Sequence, residues 1–309
     1  MVIRWPLVGR DQELADLVQV LGSHGGPKGV AVFGDAGVGK TRLVAEAIDA
    51  CRAEGMAAEW VRATEAAREI PLGSFTHLLA PGDEPHQRDD LLHLALARLR
   101  SRADGQHFLL AVDDAHLLDD ASVALLHLAV TQSPIRVLAS VRTGVPLPSG
   151  LVELWKDELL ARLDVRPLTR AATEELALTA LGDAVPASLL DRIWQLSRGN
   201  PLFVRELVTV AVERREDGTG GQIVLPATGM GERLRELVEQ RLRLLGPDRR
   251  AALETVAVGE QVPLEAAERI TGRGDIEALE RRGLFEDIDA GPGGATVQVA
   301  HPMYREVLA

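Results

Sequence analysis

Apolar and polar residues follow two rhythms in the first half of this chain. Short apolar blocks recur at Val30–Phe33, Ala57–Arg62, Phe108–Val112, Ile135–Val141 and around Ala161–Val165. Blocks of that length predict strands buried on both faces. Between them, apolar residues return every three or four positions. Leu14, Leu17, Val18 and Leu21 give one apolar helix face. Further helices are predicted at 42–52, 71–79, 89–102 and 120–131, with loops at 24–27 and 81–85. Strands alternating with helices predict an α/β fold: a doubly wound parallel sheet that binds ligand beyond the strand C-termini.

From Leu168 the rhythm is helical. Helices are predicted at 171–181, 187–197, 202–214 and 232–245, with a Gly-rich polar loop at 217–221. The 198–201 stretch, Arg-Gly-Asn-Pro, sets a helix stop against a helix start. Helices at 248–258, 263–271 and 275–282 follow, then strands at 284–288 and 296–300 around Gly291-Pro292-Gly293-Gly294, and a last helix from Pro302. Three helices and a hairpin predict a winged helix. The expected domains are therefore a nucleotide-binding domain over 1–167, a helical lid over 168–246 and a winged helix over 247–309.

Composition narrows the class. The chain has 309 residues, 46% hydrophobic and 26% charged, as in soluble globular proteins. Its net charge of −12 argues against a broad nucleic-acid footprint. The winged-helix stretch is itself acidic, with seven arginines against twelve carboxylates from Pro247 onward, which disfavours phosphate-backbone contact. The lone Cys51 rules out an intrachain disulfide and fits a reducing cytoplasm. No apolar run reaches transmembrane length, and no signal-peptide pattern opens the chain. The chain stops at Ala309 in what reads as mid-helix, the expectation for a fragment of something longer.

The chemistry is carried by Gly34-Asp35-Ala36-Gly37-Val38-Gly39-Lys40-Thr41. It fits the pattern G-x-x-x-x-G-K-[ST] between a predicted strand and a helix opening at Arg42. Glycines let the backbone turn its N–H groups toward an anion, and the helix N-terminus adds positive charge. Lys40 is expected to reach the β- and γ-phosphates, and Thr41 to hold Mg²⁺ through its hydroxyl. About 70 residues on, an apolar run ends in Asp113-Asp114. Asp113 is the expected second Mg²⁺ ligand and Asp114 the group that orients or deprotonates water. Arg142 closes the next strand and is placed to sense the γ-phosphate. Val8 and Gly9 are read as neighbours of the purine. His301, before Pro302, is a donor to phosphate if its segment folds back over the lid.

Val8-Gly9-Arg10, the P-loop, Val112-Asp113-Asp114-Ala115-His116, Gly199-Asn200-Pro201-Leu202-Phe203 and His301-Pro302 with Arg305 stand in that order over nearly the whole chain. Together they resemble the nucleotide-binding region of STAND signal-transduction ATPases, and among these the large ATP-binding regulators of the LuxR family. The resemblance implies ADP in a closed resting form, and an open, self-associating form with ATP and an inducer. It implies Val8, Gly9, Arg10, Gly34, Ala36, Gly37, Val38, Gly39, Lys40, Thr41 and Arg42 around ATP or ADP. It also implies Pro201 and Leu202 near adenine and ribose, and His301 on the β-phosphate as a latch. A repeat-rich sensor and a C-terminal helix-turn-helix, which would bind DNA, have no counterpart in these residues.

The expected activity is weak ATP hydrolysis used as a switch. The alternative is a DNA-loading or remodelling ATPase of the origin-recognition type, which needs a basic DNA face. A small-molecule kinase would need an acceptor pocket near Asp114.

Overall fold

Strands that are apolar at every position can only sit inside a sheet covered on both faces. β1 (Gly29–Gly34) is buried throughout. β2 (Ala57–Arg62) mixes exposed and half-buried positions. β3 (Phe108–Asp113) and β4 (Ile135–Arg142) are buried except at Arg142. β5 (Ala161–Asp164) alternates half-buried and exposed. The burial patterns match the sheet order β2-β3-β4-β1-β5, with every pair parallel. The three apolar strands are central and the two mixed ones are edges. This computed structural model describes residues 5–23, 25–79, 88–103, 107–182, 185–216, 232–243, 245–259, 261–281, 284–288, 295–300 and 302–308. The predicted loops at 81–85 and 217–221, the Gly-rich turn at 291–294 and His301 lie outside the described residues.

Helices α1 (Asp11–Gly22), α2 (Lys40–Ala53), α3 (Arg88–Ala103), α4 (Asp120–Gln132) and α5 (Ser149–Lys156) complete this unit, which spans Arg10–Arg166. α5 was not predicted; it lies in a stretch that holds Pro146, Pro148 and Gly150. Pro148 sits just before the helix, where no N–H is required, and Leu151 and Leu154 are buried. The helix predicted at 71–79 is instead a 3₁₀ stretch over Gly73–Leu78, entered through Leu72 at φ 55°. Phe75 and Leu78, three apart, supply its buried side chains, the spacing that a three-residue turn aligns.

The second unit comprises Met1–Gly9 with Pro167–Ala309. It contains α6 (Arg170–Leu181), α7 (Ala187–Ser197), α8 (Pro201–Glu216), α9 (Glu232–Arg243), α10 (Pro247–Gly259), β6 (Gln261–Pro263), α11 (Leu264–Thr271), α12 (Arg273–Arg281), β7 (Phe285–Ile288), β8 (Thr296–Val299) and α13 (Pro302–Leu308). The last three strands form an antiparallel sheet in the order β6-β8-β7. Two expectations need correction. The hairpin has a third strand, because Gln261–Pro263 pairs with Thr296–Gln298 where a helix was predicted from 263. A winged helix standing alone over 247–309 is not what the chain forms. One apolar core runs from Val8 through Leu176, Val204, Val238 and Leu253 to Tyr304, so 246/247 is not a boundary in packing.

Candidate functional site

The sheet order determines what can meet at its C-terminal edge. β1 leads into the P-loop and β3 ends at Asp113, with β4 between them. Register keeps the tips level: Gly34 pairs with Arg142, and Arg62 with Asp113. Lys40, Thr41, Asp113 and Arg142 therefore converge on one edge, although 72 residues separate Thr41 from Asp113.

The P-loop bends where only glycine is comfortable: Gly37 has φ 79° and Gly39 φ 103°. α2 starts immediately, at Lys40. The Lys40 ammonium is 7% exposed and donates to the carbonyls of Gly34 at 2.8 Å and Asp35 at 2.9 Å. Burial pushes its pKa down to about 8 against the attraction of Asp114, and Arg142 pushes the same way. A cation kept this dry is a strong binder of an anion that reaches it.

Asp113 is 1% exposed and well supplied with partners. Ser140 Oγ donates to it at 2.6 Å. Thr41 Oγ1 lies 3.1 Å from both carboxylate oxygens. Arg62 Nη2, on an exposed side chain, is 3.4 Å away. Ser140 also accepts from the Asp114 N–H at 2.9 Å, so one hydroxyl fixes both acids. Asp114 occupies the left-handed region at φ 56°, a conformation that acidic residues accept more readily than most. Burial raises its carboxyl pKa, and Asp113 adds to the rise. The Thr41–Asp113 pair fits a magnesium ion that keeps water and phosphate oxygens as its other ligands. No cluster of three or more His, Cys, Asp or Glu suited to a metal occurs among the described residues.

The remaining expected residues fall in different places. Arg42 is on the surface, paired with Glu46. Arg10 is buried and bonded to protein groups. Val8 lies in the core of the helical unit, and Gly9, at φ 61°, leaves no room for a Cβ beside Ala172. Pro201 opens α8, and the Leu202 N–H donates to the Asn200 side chain at 3.1 Å. The turn before it is tight: a Cβ on Gly199 would lie 2.2 Å from the Leu168 carbonyl oxygen.

Three residues of this edge were not singled out from sequence. Ser140 was visible only as the one hydroxyl in an apolar strand. Arg62 needed the β2–β3 register. His116 was seen only inside a motif. Its ring is buried, its pKa is pushed down to about 4 by burial and by Arg142 and Lys40, and Nδ1 has no hydrogen-bond partner among the described residues.

Comparison with known proteins bears on the fold. Residues 6–141 match a family described as AAA ATPase domain. No curated protein matches the sequence. Cdc6p of Pyrobaculum aerophilum is similar in structure over 99% of this chain and 94% of its own, with a TM-score of 0.55 and 13% identity. The RuvB Holliday junction branch migration motor of Thermotoga maritima is similar over 97% of this chain and 95% of its own, with a TM-score of 0.52 and 16% identity. A STAND protein with a tetratricopeptide repeat sensor from Pyrococcus horikoshii aligns with the whole chain at 20% identity and a TM-score of 0.45, and the chain spans 44% of its length. No helix among the described residues is long and apolar enough to cross a membrane. The chain thus has the P-loop NTPase fold of Cdc6p and RuvB, and residues 6–141 are similar to an AAA ATPase domain.

Proposed function

We propose that this chain is the ATP/ADP-binding switch module of a STAND-type signal-transduction ATPase, in a regulator of the LuxR kind. The observation that carries the nucleotide reading is the buried Lys40 ammonium next in the chain to Thr41, which opens the Thr41–Asp113–Ser140 network. Lys40 exchanges the carbonyls of Gly34 and Asp35 for phosphate oxygens. Thr41 and Asp113 hold magnesium, which neutralises phosphate charge. Ser140 keeps Asp113 fixed, and Asp114 orients the attacking water. Arg142, at the tip of β4, discriminates ATP from ADP through the γ-phosphate. The ordered motifs from Val8-Gly9-Arg10 to His301-Pro302 support the switch reading. Pro201 and Leu202 face adenine and ribose in it, and His301 holds the β-phosphate of ADP.

Magnitudes favour slow turnover under outside control. Reversing a 1:99 balance takes about 5.5 kcal/mol of differential affinity. One charge-assisted hydrogen bond from Arg142 supplies about 1.5–3 kcal/mol. Further contacts, an inducer or self-association in the ATP form must supply the rest. Calorimetry with ADP and ATP in magnesium, paired with solution scattering in each state, tests the proposal. The expected result is binding of both nucleotides and two different scattering profiles. No heat with either nucleotide, or rapid hydrolysis insensitive to assembly, rejects it.

A DNA-remodelling motor shares the fold. The acidic balance from Pro247 onward speaks against it. Salt-sensitive DNA binding by this chain would favour the motor.

A further inference from the structure

Arg10 and Arg166 are the first and last residues of the sheet unit, so the chain crosses between units at Gly9–Arg10 and at Arg166–Pro167. Arg10 is 6% exposed. Its Nη1 pairs with Glu13 at 2.8 Å, and its Nη2 donates to the carbonyls of Arg166 at 2.5 Å and Val38 at 3.3 Å. One guanidinium therefore joins both crossings, the first turn of α1 and the P-loop. Burying that charge is costly unless it is fully bonded. Ordinary anchoring of a surface turn needs no such group.

The contact with Val38 has a directional consequence. The peptide between Val38 and Gly39 is trans, as are all the peptides described. In a trans peptide the C=O and the following N–H lie in one plane and point in opposite directions. With the Val38 carbonyl held by Arg10, the Gly39 N–H points away from Arg10. Gly39 sits at φ 103°, where the peptide turns at little steric cost. The direction of this amide is thus set by a side chain whose other end grips the crossings.

We propose that Arg10 is a positioning residue that couples the P-loop to the two inter-unit crossings. An anion held by the Gly39 N–H fixes the Val38 peptide. The fixed carbonyl fixes the guanidinium, which in turn restrains Arg166 and Gly9–Arg10. Loss of the anion releases all three together. Arg10 thus acts through the backbone, and the base and sugar need not touch it. The inference rests on the switch reading above and adds its transmission path.

The test uses the whole chain and the variants Arg10→Lys and Arg10→Met. A lysine keeps the charge but is a point donor that cannot serve three acceptors as a planar fork does. ADP affinity is expected to fall about tenfold in Arg10→Lys, the worth of one charge-assisted bond. The scattering difference between ADP and ATP states is expected to vanish in both variants. Should the variants misfold, hydrogen exchange on the unmodified chain decides. ADP is expected to slow exchange in segments 9–11 and 166–168 as well as in the P-loop. Wild-type affinity with a retained scattering difference in Arg10→Lys overturns the inference, and so does P-loop protection without protection at the crossings. If the unmodified chain gives no heat with ADP, the nucleotide reading itself fails, and that is a separate outcome.

Discussion

The two units handle charge in opposite ways. Among the described residues, the buried polar or charged side chains of the sheet unit are Arg10, Lys40, Asp113, His116, Ser122, Arg136 and Ser140. The helical unit has two, Thr173 and Ser197, and both are neutral. Its charges lie outside, in pairs such as Arg170–Glu174, Arg250–Glu254 and Arg273–Glu277 along single helices. Exposed pairs of that kind are screened by solvent and contribute little. The helical unit is therefore held by apolar packing. The sheet unit carries buried cations: Arg10 and Arg136 are bonded to protein groups, while Lys40 stands in the P-loop, where an incoming anion can meet it. A residue's effect should follow the unit it sits in.

The largest expected effect is on the helical unit's stability. Leu253 is fully buried in its core. Leu253→Ala should cost about 2–5 kcal/mol, read by denaturant unfolding, while the phosphate contacts of ADP persist in calorimetry. Lys40→Met should do the reverse. ADP affinity should drop about a hundredfold, the worth of about 3 kcal/mol, with ligand-free melting unchanged or raised. If Leu253→Ala abolished phosphate binding, or Lys40→Met unfolded the chain, the division between the units would not hold.

Glycines sharpen the contrast within the helical unit. Gly199 and Gly182 have similar angles, φ 77° and 79°, but only Gly199 faces a backbone oxygen where a Cβ would go. Gly182, at φ 79° and ψ 176°, lies in a backbone region essentially confined to glycine, so Gly182→Ala carries that strain alone, about 1–3 kcal/mol. Gly199→Ala adds the clash with Leu168 and should cost about 1–3 kcal/mol more. Equal melting temperatures for the two variants would show that the Leu168 carbonyl moves aside freely.

The sequence made the sheet legible because its central strands are mostly apolar runs, broken within only by Arg136 and Ser140, a pattern that a covered parallel sheet explains. The P-loop was legible because its glycines and Lys40 stand between a strand and a helix. Other features depend on contacts that no local pattern encodes. α5 was hidden by Pro148 and Gly150, which act as breakers or as starts depending on what Leu151 and Leu154 pack against. β6 is three residues long and exists through pairing with β8. The bond from the Arg10 guanidinium to the Arg166 carbonyl, 156 residues on, was not legible either. Ser140 needed the register that brings β4 beside β3. In each case the missing quantity was a long-range partner.

The smallest expected effect is also the most diagnostic, because it has opposite signs in the ligand-free chain and in the complex. Lys40 has a pKa of about 8 in the fold, against 10.5 for a lysine in water. Between those values the unfolded chain holds a proton that the fold has released, so ligand-free stability rises with pH there. Below about 8 both states are protonated and the contribution is constant. A phosphate that pairs with the ammonium restores its pKa, so binding near pH 8 takes up about half a proton and binding at pH 7 takes up little. ADP affinity should therefore be nearly flat around pH 7, begin to fall toward pH 8 and fall by up to about tenfold per unit above it. Calorimetry in buffers of different ionisation enthalpy reads the proton directly, and Lys40→Met removes the site as a control. The Leu253→Ala variant, altered only in the helical unit, should keep the full proton uptake. Equal heats in all buffers at pH 8 would mean that Lys40 does not meet the phosphate, and the buried cation would then need another explanation.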